Sequence, residues 1–232
     1  MPKALLSAAE AVTDIADGST VMVGGFASAG IPYALIHALR DRGARDLTLI
    51  VNSGGSDRRP DHVVLLEAGL VRRVICSYAV PPGRNIPLEA LHQQGLVEVE
   101  AMPQGTFAEC IRAGGAGIGG LLLRVGLDTE YAEGRDLVDV DGAPHLLERP
   151  LRADVALVRA HRADTAGNLV YRGMARNFNP EMATAADLVI AEVDEVVDAG
   201  TIDPETVVTP GIYIDRLVVG GRATEIALGV LA

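Results

Sequence analysis

Tryptophan is absent from this 232-residue chain, and phenylalanine and tyrosine together number only eight, so aromatics make up 3%. A core of this size must therefore be built from Val, Leu, Ile and Ala, which suits a parallel sheet buried on both faces. Basic residues are also short, 20 against 31 acidic ones, for a formal charge of −11. A nucleic-acid partner or an anionic membrane surface is not expected of such a chain. The two cysteines, Cys76 and Cys110, form no metal-spaced pair. They read as free buried thiols of an intracellular protein. The five histidines, His37, His62, His92, His145 and His161, show no ligand spacing either, so no metal is expected. No apolar run reaches the about 18 residues a membrane span needs. The stretch MPKALLSAAEAVTDIADG lacks the apolar core and cleavage site of a signal peptide. The expectation is a cytoplasmic protein with no membrane contact.

What is present is an alternation of short apolar runs with helical segments. A helix is expected over 4–15, followed by a strand at Val21-Met22-Val23. Further strands are expected over 46–52, 72–78 and 96–102, with helices over 33–42, near 61–69, near 87–94 and over 107–114. The repeat of about 25 residues is typical of βαβ crossovers. Residues 136–149 read as a hairpin turning at Asp141-Gly142. Residues 154–161 read as a buried strand with 167–172 as its antiparallel neighbour, 182–186 as a short helix and 188–197 as a strand. With no internal repeat and no linker, residues 1–232 are expected to form one α/β domain: a three-layer, open, largely parallel sheet with helices on both faces.

The most informative stretch is DGSTVMVGGFASAGIP, residues 17–32. It reads as strand, glycine turn, helix. Glycine tolerates positive φ and leaves room for a close approach, and Pro32 suits a helix start. Such a turn lies at the carboxyl edge of a parallel sheet, where open α/β folds bind ligands. A tight connection without a ligand is the plainer alternative. Backbone N–H groups at the helix start after Pro32 could hold an anion. Gln104, in MPQGT, and Asn52, in NSGG, follow strands and so belong at the same edge. A primary amide donates to a carboxylate or thioester oxygen without adding charge. A helix-start role for Gln104 and a polar turn for Asn52 are the alternatives. The run Gly115-Ala116-Gly117-Ile118-Gly119-Gly120 matches GxGxxG spacing. A helix precedes it rather than a strand, so it reads as a helix stop rather than a dinucleotide fingerprint. The acidic set Glu192, Asp194, Glu195 and Asp198 reads as a solvated strand face.

The 17–32 stretch resembles the signature of family I coenzyme A transferases of the alpha-subunit type: acidic-Gly, an apolar strand, Gly-Gly-Phe, three residues, Gly, any residue, Pro. The resemblance continues through residues 102–119, 146–197 and 203–218, and includes the strings GNLVYR and ARNFNP. It implies a substrate- and CoA-binding set of Gly24, Gly25, Phe26, Asn52, Tyr78 and Gln104, with Gln104 near the substrate carboxylate and oxyanion. It implies a flexible active-site loop at the glycine run. It also implies a ping-pong transfer of CoA between an acyl-CoA and a 3-oxoacid, short-chain acid or diacid. The family's nucleophilic glutamate lies in a Ser-Glu-Asn-Gly string on the beta subunit, and no such string occurs here. Glu67, Glu109 and Glu148 lack the glycine turn that would expose them. The implied protein therefore has no catalytic nucleophile of its own. It needs a beta partner, in a heterodimer or heterotetramer, and uses coenzyme A as substrate rather than as a resident cofactor. Two segments, 79–87 and 121–131, depart from the family pattern. In the first, Arg84 is a candidate to pair with the second carboxylate of a diacid, or else an exposed loop arginine. The rival readings are a non-catalytic acyl-CoA or sugar-phosphate binding homologue and a sugar-phosphate isomerase on a similar fold.

Overall fold

The computed structural model describes residues 2–56, 59–79, 86–221 and 229. Strands β1 (Ala4–Leu6), β2 (Thr20–Val23), β3 (Leu47–Ser53), β4 (Val71–Tyr78), β5 (Glu98–Ala101), β9 (Ala153–Asp164), β10 (Leu169–Val170), β11 (Ala186–Val197) and β12 (Arg216–Val219) form one sheet. Its order is β1-β12-β11-β9-β2-β3-β4-β5, and each of these pairings is parallel. The short β10 pairs antiparallel with β9, as GNLVYR predicts. Strands β6 (Leu121–Leu123), β7 (Leu137–Val140) and β8 (Ala143–Glu148) make a separate three-stranded antiparallel sheet, order β6-β8-β7. Its hairpin turns at Asp141 and Gly142, both at positive φ.

Helices α1 (Ala8–Ala11), α2 (Tyr33–Arg42), α3 (Val63–Glu67) and α4 (Pro87–Gln93) cover one face; α5 (Gln104–Ala116) and α6 (Asn179–Thr184) cover the other. Alternation along each strand divides the core accordingly. Val21, Val23, Leu49, Val51, Val74, Cys76 and Leu157 pack on the first face. Met22, Ile50, Ile75, Ala156, Val158 and Ala160 pack on the second. This is the expected three-layer architecture. Both thiols are buried and unpaired, and burial pushes Cys76 up to about 11 and Cys110 up to about 12.

Two local expectations are corrected. Residues 4–15 are not one helix: Ala4–Leu6 pairs with β12, and Ser7 then caps α1 through a reciprocal bond with Glu10. The glycine run is not an active-site loop. Helix α5 starts at the carboxyl edge and runs antiparallel to the strands, so its glycine-rich end lies at the amino edge. There a Cβ on Gly114 would sit 1.9 Å from the Leu151 carbonyl oxygen, and one on Gly115 would sit 2.0 Å from Thr184 Oγ1. These glycines let α5 pack closely, and Gly117 ends the helix at φ 70°.

Candidate active site at the carboxyl edge of the sheet

Strands β2, β3 and β4 end side by side. Val23, the last residue of β2, pairs with Val51, and Val51 pairs in turn with Cys76. One residue further on, Gly24, Asn52 and Ser77 stand in a row, and α5 begins beside them at Gln104. Asn52 and Ser77 follow Ile50 and Ile75 on the second face, and there they meet the first residue of α5. The Gln104 amide nitrogen donates to Asn52 Oδ1 at 3.0 Å. The Ser77 hydroxyl lies 2.9 Å from Gln104 Oε1 and 3.0 Å from the Asn52 main-chain oxygen. Asn52 is buried while Gln104 is exposed, so the cluster is rooted in the sheet and open outward. Nothing in it is charged. Its Asn52 Nδ2 donates to no partner among the described residues. Such a cluster offers N–H donors to an anionic oxygen without itself holding a proton to transfer.

The Gly24-Gly25-Phe26 turn lies next in the row. A Cβ on Gly24 would lie 1.8 Å from Asn179 Oδ1, and one on Gly25 would lie 2.7 Å from Ile31 Cγ1. The space a side chain would need at these glycines is therefore filled by the chain itself. Gly25, at φ 124°, also takes a conformation side chains rarely adopt. Phe26 and Ala29 exchange two backbone hydrogen bonds of 3.0 Å each, which throws Phe26, 37% exposed, onto the rim. Asn179 is fully buried. Its Nδ2 donates to the carbonyls of Gly30 and Ala175 at 3.1 and 2.9 Å, and its Oδ1 accepts from the Arg159 N–H at 2.8 Å. Asn177 Nδ2 donates to the Ala29 carbonyl at 3.0 Å. The ARNFNP string thus clamps the glycine turn onto β9.

The helix start after Pro32 is already occupied. Glu192, on β11, is fully buried. Its Oε2 accepts from the N–H groups of Ala34 and Leu35 at 2.8 and 3.3 Å, and its Oε1 accepts from Gly221 N–H at 3.0 Å. The Arg159 guanidinium stands 3.9 Å from Oε1, and its other end meets Asp194 at 3.2 Å. His161 Nδ1 lies 2.8 Å from the same Asp194 carboxylate. Burial pushes the Glu192 carboxyl up to about 7, against the pull of Arg159 and the three N–H groups. Two expectations fall here. The acidic set on β11 is not a uniformly solvated face, and the α2 N-terminus holds the chain's own carboxylate instead of a ligand.

Of the expected site residues, Asn52 and Gln104 are joined directly, Gly24 stands beside Asn52 at the end of the neighbouring strand, and Gly25 and Phe26 follow it in the turn. Tyr78, 49% exposed, follows Ser77 on β4 and so projects from the opposite face. Arg84 lies outside the described residues. Ser77 and Asn179 are additions that sequence reasoning misses. The signal for Ser77 is its place beside Asn52, visible only once β3 and β4 are paired. The signal for Asn179 is the ARNFNP string, whose structural task depends on a turn about 150 residues away. Among the described residues, no group of three or more His, Cys, Asp or Glu could hold a metal, and no helix is long and apolar enough to cross a membrane.

Comparison with known proteins fits this geometry. The family model for coenzyme A transferase matches residues 5–220. One subunit of the 3-oxoadipate CoA-transferase of Pseudomonas putida is 46% identical over 97% of this chain and 97% of its own length. The alpha subunit of the acetate CoA-transferase of Escherichia coli K12 is 45% identical over 94% of this chain and 98% of its own length. Among solved structures, an acyl-CoA transferase of Escherichia coli O157:H7, crystallised as a thioester complex with CoA, superposes with a TM-score of 0.84 at 25% identity. That match covers 94% of this chain and 47% of the other, so this chain spans about half its length.

Proposed function

The chain belongs to the coenzyme A transferase family, and on that premise we propose that it is the alpha-type half of a two-chain enzyme moving CoA between an acyl-CoA and a carboxylic acid. The observation that carries this reading is the neutral cluster Asn52–Ser77–Gln104, open at the carboxyl edge of a chain that has no Ser-Glu-Asn-Gly string. Such a chain is equipped to bind and stabilise, and its nucleophile comes from the partner.

In this mechanism the partner's glutamate carboxylate attacks the thioester carbonyl. The carbonyl oxygen becomes an oxyanion, and the CoA thiolate leaves to give an acyl-glutamyl anhydride. The thiolate then attacks the glutamyl carbonyl and expels the first acid. A second acid repeats the sequence in reverse and leaves as its CoA thioester. A carboxylate nucleophile suits this chemistry because the glutamyl-CoA thioester it forms is similar in energy to the substrate thioester, so the exchange runs either way. Gln104, with Asn52 behind it, supplies N–H donors where the oxyanion or the acid's carboxylate sits. Phe26 forms part of the rim over the acyl chain. Coenzyme A enters and leaves as substrate, and no resident cofactor is proposed. The relatives at 46% and 45% identity are named for a long 3-oxo diacid and for acetate, so similarity does not choose the acid. Candidates are a 3-oxoacid or a short-chain acid or diacid. The cytoplasm is the proposed compartment, in keeping with two unpaired thiols. The binding-only and isomerase readings are not favoured, since the relatives matched along their whole length are named as transferase subunits.

The test is reconstitution with the beta-type partner chain. CoA transfer from succinyl-CoA to 3-oxoadipate, acetoacetate and acetate is measured for each chain alone and for the pair. Transfer is expected only from the pair, with ping-pong kinetics. Full activity from this chain alone overturns the division of labour.

A further inference from the structure

We propose that Ser77 is a positioning residue, whose hydroxyl anchors the Gln104 amide so that the cluster turns N–H donors toward the open edge. The proposal rests on the reading of Gln104 as the donor to the reacting oxygen.

The hydroxyl carries one proton, and three acceptors surround it. These are Gln104 Oε1 at 2.9 Å, the Asn52 main-chain oxygen at 3.0 Å and Asn52 Oδ1 at 3.3 Å. When the proton goes to Gln104 Oε1, the amide oxygen faces into the sheet and Nε2 faces Asn52 Oδ1 at 3.0 Å. Both side-chain oxygens are then consumed inside the cluster. What remains outward is the second N–H of Gln104 and the two of Asn52, all donors. Turning Gln104 alone would set its oxygen against Asn52 Oδ1, two acceptors at hydrogen-bond distance, an arrangement with no proton to share. Turning both amides restores a closed ring, with Ser77 accepting from Nε2 and donating to the Asn52 main-chain oxygen. That ring, however, presents Asn52 Oδ1 outward, as an acceptor. An anionic oxygen at the edge selects the first arrangement over the second. Ser77 closes the ring in either, so it holds Gln104 in place throughout.

The rest of the molecule gives Gln104 no other anchor among the described residues. It is the first residue of α5, its side chain caps nothing, and it is exposed. Its side-chain hydrogen bonds go to Asn52 and Ser77. Without the hydroxyl, Oε1 loses its inward partner and the amide is held by its bond to Asn52 alone. A long polar side chain that must be ordered anew at each turnover stabilises the transition state less.

The experiment compares Ser77→Ala, Ser77→Thr, Gln104→Ala and the double variant Ser77→Ala/Gln104→Ala in the assembled two-chain enzyme, with succinyl-CoA and acetoacetate as probes. Ser77→Ala is expected to lower kcat about 3- to 10-fold, the range of one neutral hydrogen bond. KM for acetoacetate and the melting temperature should change little. Ser77→Thr keeps the hydroxyl and is expected to restore kcat to within about twofold. In the Gln104→Ala background, Ser77→Ala is expected to have no further effect, because the group it positions is gone. The proposal is overturned by an unchanged kcat in Ser77→Ala beside a large loss in Gln104→Ala. Failure of Ser77→Thr to recover, or the same fold-loss with and without Gln104, also overturns it. These outcomes leave the role of Gln104 standing. If Gln104→Ala itself keeps activity within about threefold, the reading of Gln104 falls, and the role of Ser77 falls with it.

Discussion

The carboxyl edge of the sheet carries two polar networks, one on each face, and they are built on opposite plans. On the second face, Asn52, Ser77 and Gln104 are neutral and open outward. On the first, Arg159, Glu192, Asp194 and His161 are ionisable groups, and Glu192 is sealed against the N-terminus of α2. The ionisable network would be the first suspect on chemistry alone, since buried carboxyls with raised pKa mark many active sites. Here every oxygen of its buried carboxylate is already satisfied by backbone N–H groups of its own chain. It ties β9, β11, α2 and the segment at Gly221 together. The neutral network leaves the Asn52 Nδ2 donors unspent among the described residues, which is why the proposed site is placed there.

The contrast is most exposed to refutation at Gln104→Ala in the assembled enzyme. An exposed glutamine that only started a helix could be replaced with little consequence. As the donor to a developing oxyanion, its loss is expected to lower kcat on the order of 100-fold, with the melting temperature nearly unchanged. A loss under about threefold would move the site away from the second face.

Next in size is Gly24→Ala, which probes the turn between the two networks. The added methyl would lie 1.8 Å from Asn179 Oδ1. Asn179 cannot swing aside, because its amide serves Gly30, Ala175 and Arg159 at once. Overpacking of this kind costs roughly 1–3 kcal/mol, about 2–10 °C in melting temperature for a chain of this size. The penalty should shrink in an Asn179→Ala background, by about 1 kcal/mol or more of coupling. Equal penalties in both backgrounds would show that the clamp is not what makes Gly24 necessary.

An effect with a distinctive pH signature belongs to Glu192. The native carboxyl keeps its proton up to about pH 7, whereas its ordinary value is 4.5. Between these values the native state binds more protons than the unfolded chain, so this group's contribution to stability falls as pH rises. Below the ordinary value the contribution is constant, and above about 7 the loss is complete. In thermal melts, wild type minus Glu192→Gln should therefore decline from about pH 5 to 7.5 and be flat above it. A difference independent of pH would mean that the N–H groups and Arg159 hold the carboxylate ionised throughout.

Much of this architecture is legible in the sequence. The βαβ alternation, the hairpin at Asp141-Gly142 and the edge positions of Asn52 and Gln104 follow from local apolar runs and turn residues. What stays hidden depends on partners far away in the chain. Ala4-Leu5-Leu6 is as apolar as a helix start, and pairing with β12 makes it a strand. Glu192 and Asp194 share a face by alternation, but only the placement of α2 buries the first and leaves the second at the rim. The glycine run resembles a ligand loop by spacing alone. The direction of α5 carries it to the far edge.

The smallest expected effect tests the division between the faces. Tyr78 is a candidate beside Gln104 through the family resemblance, and both lie where strands end at the same edge. Strand alternation separates them: Ser77 reaches Gln104, and the next residue must project the other way. Its ring is about half exposed at 49%, so removing the phenol oxygen strands no buried partner. Tyr78→Phe is accordingly expected to keep kcat/KM within about twofold for succinyl-CoA and acetoacetate alike. A loss approaching that of Gln104→Ala would require the reacting groups to straddle the end of β4. The substrate would then lie across the strand tips instead of against the second face, and the contrast between the open and the sealed network would no longer locate the chemistry.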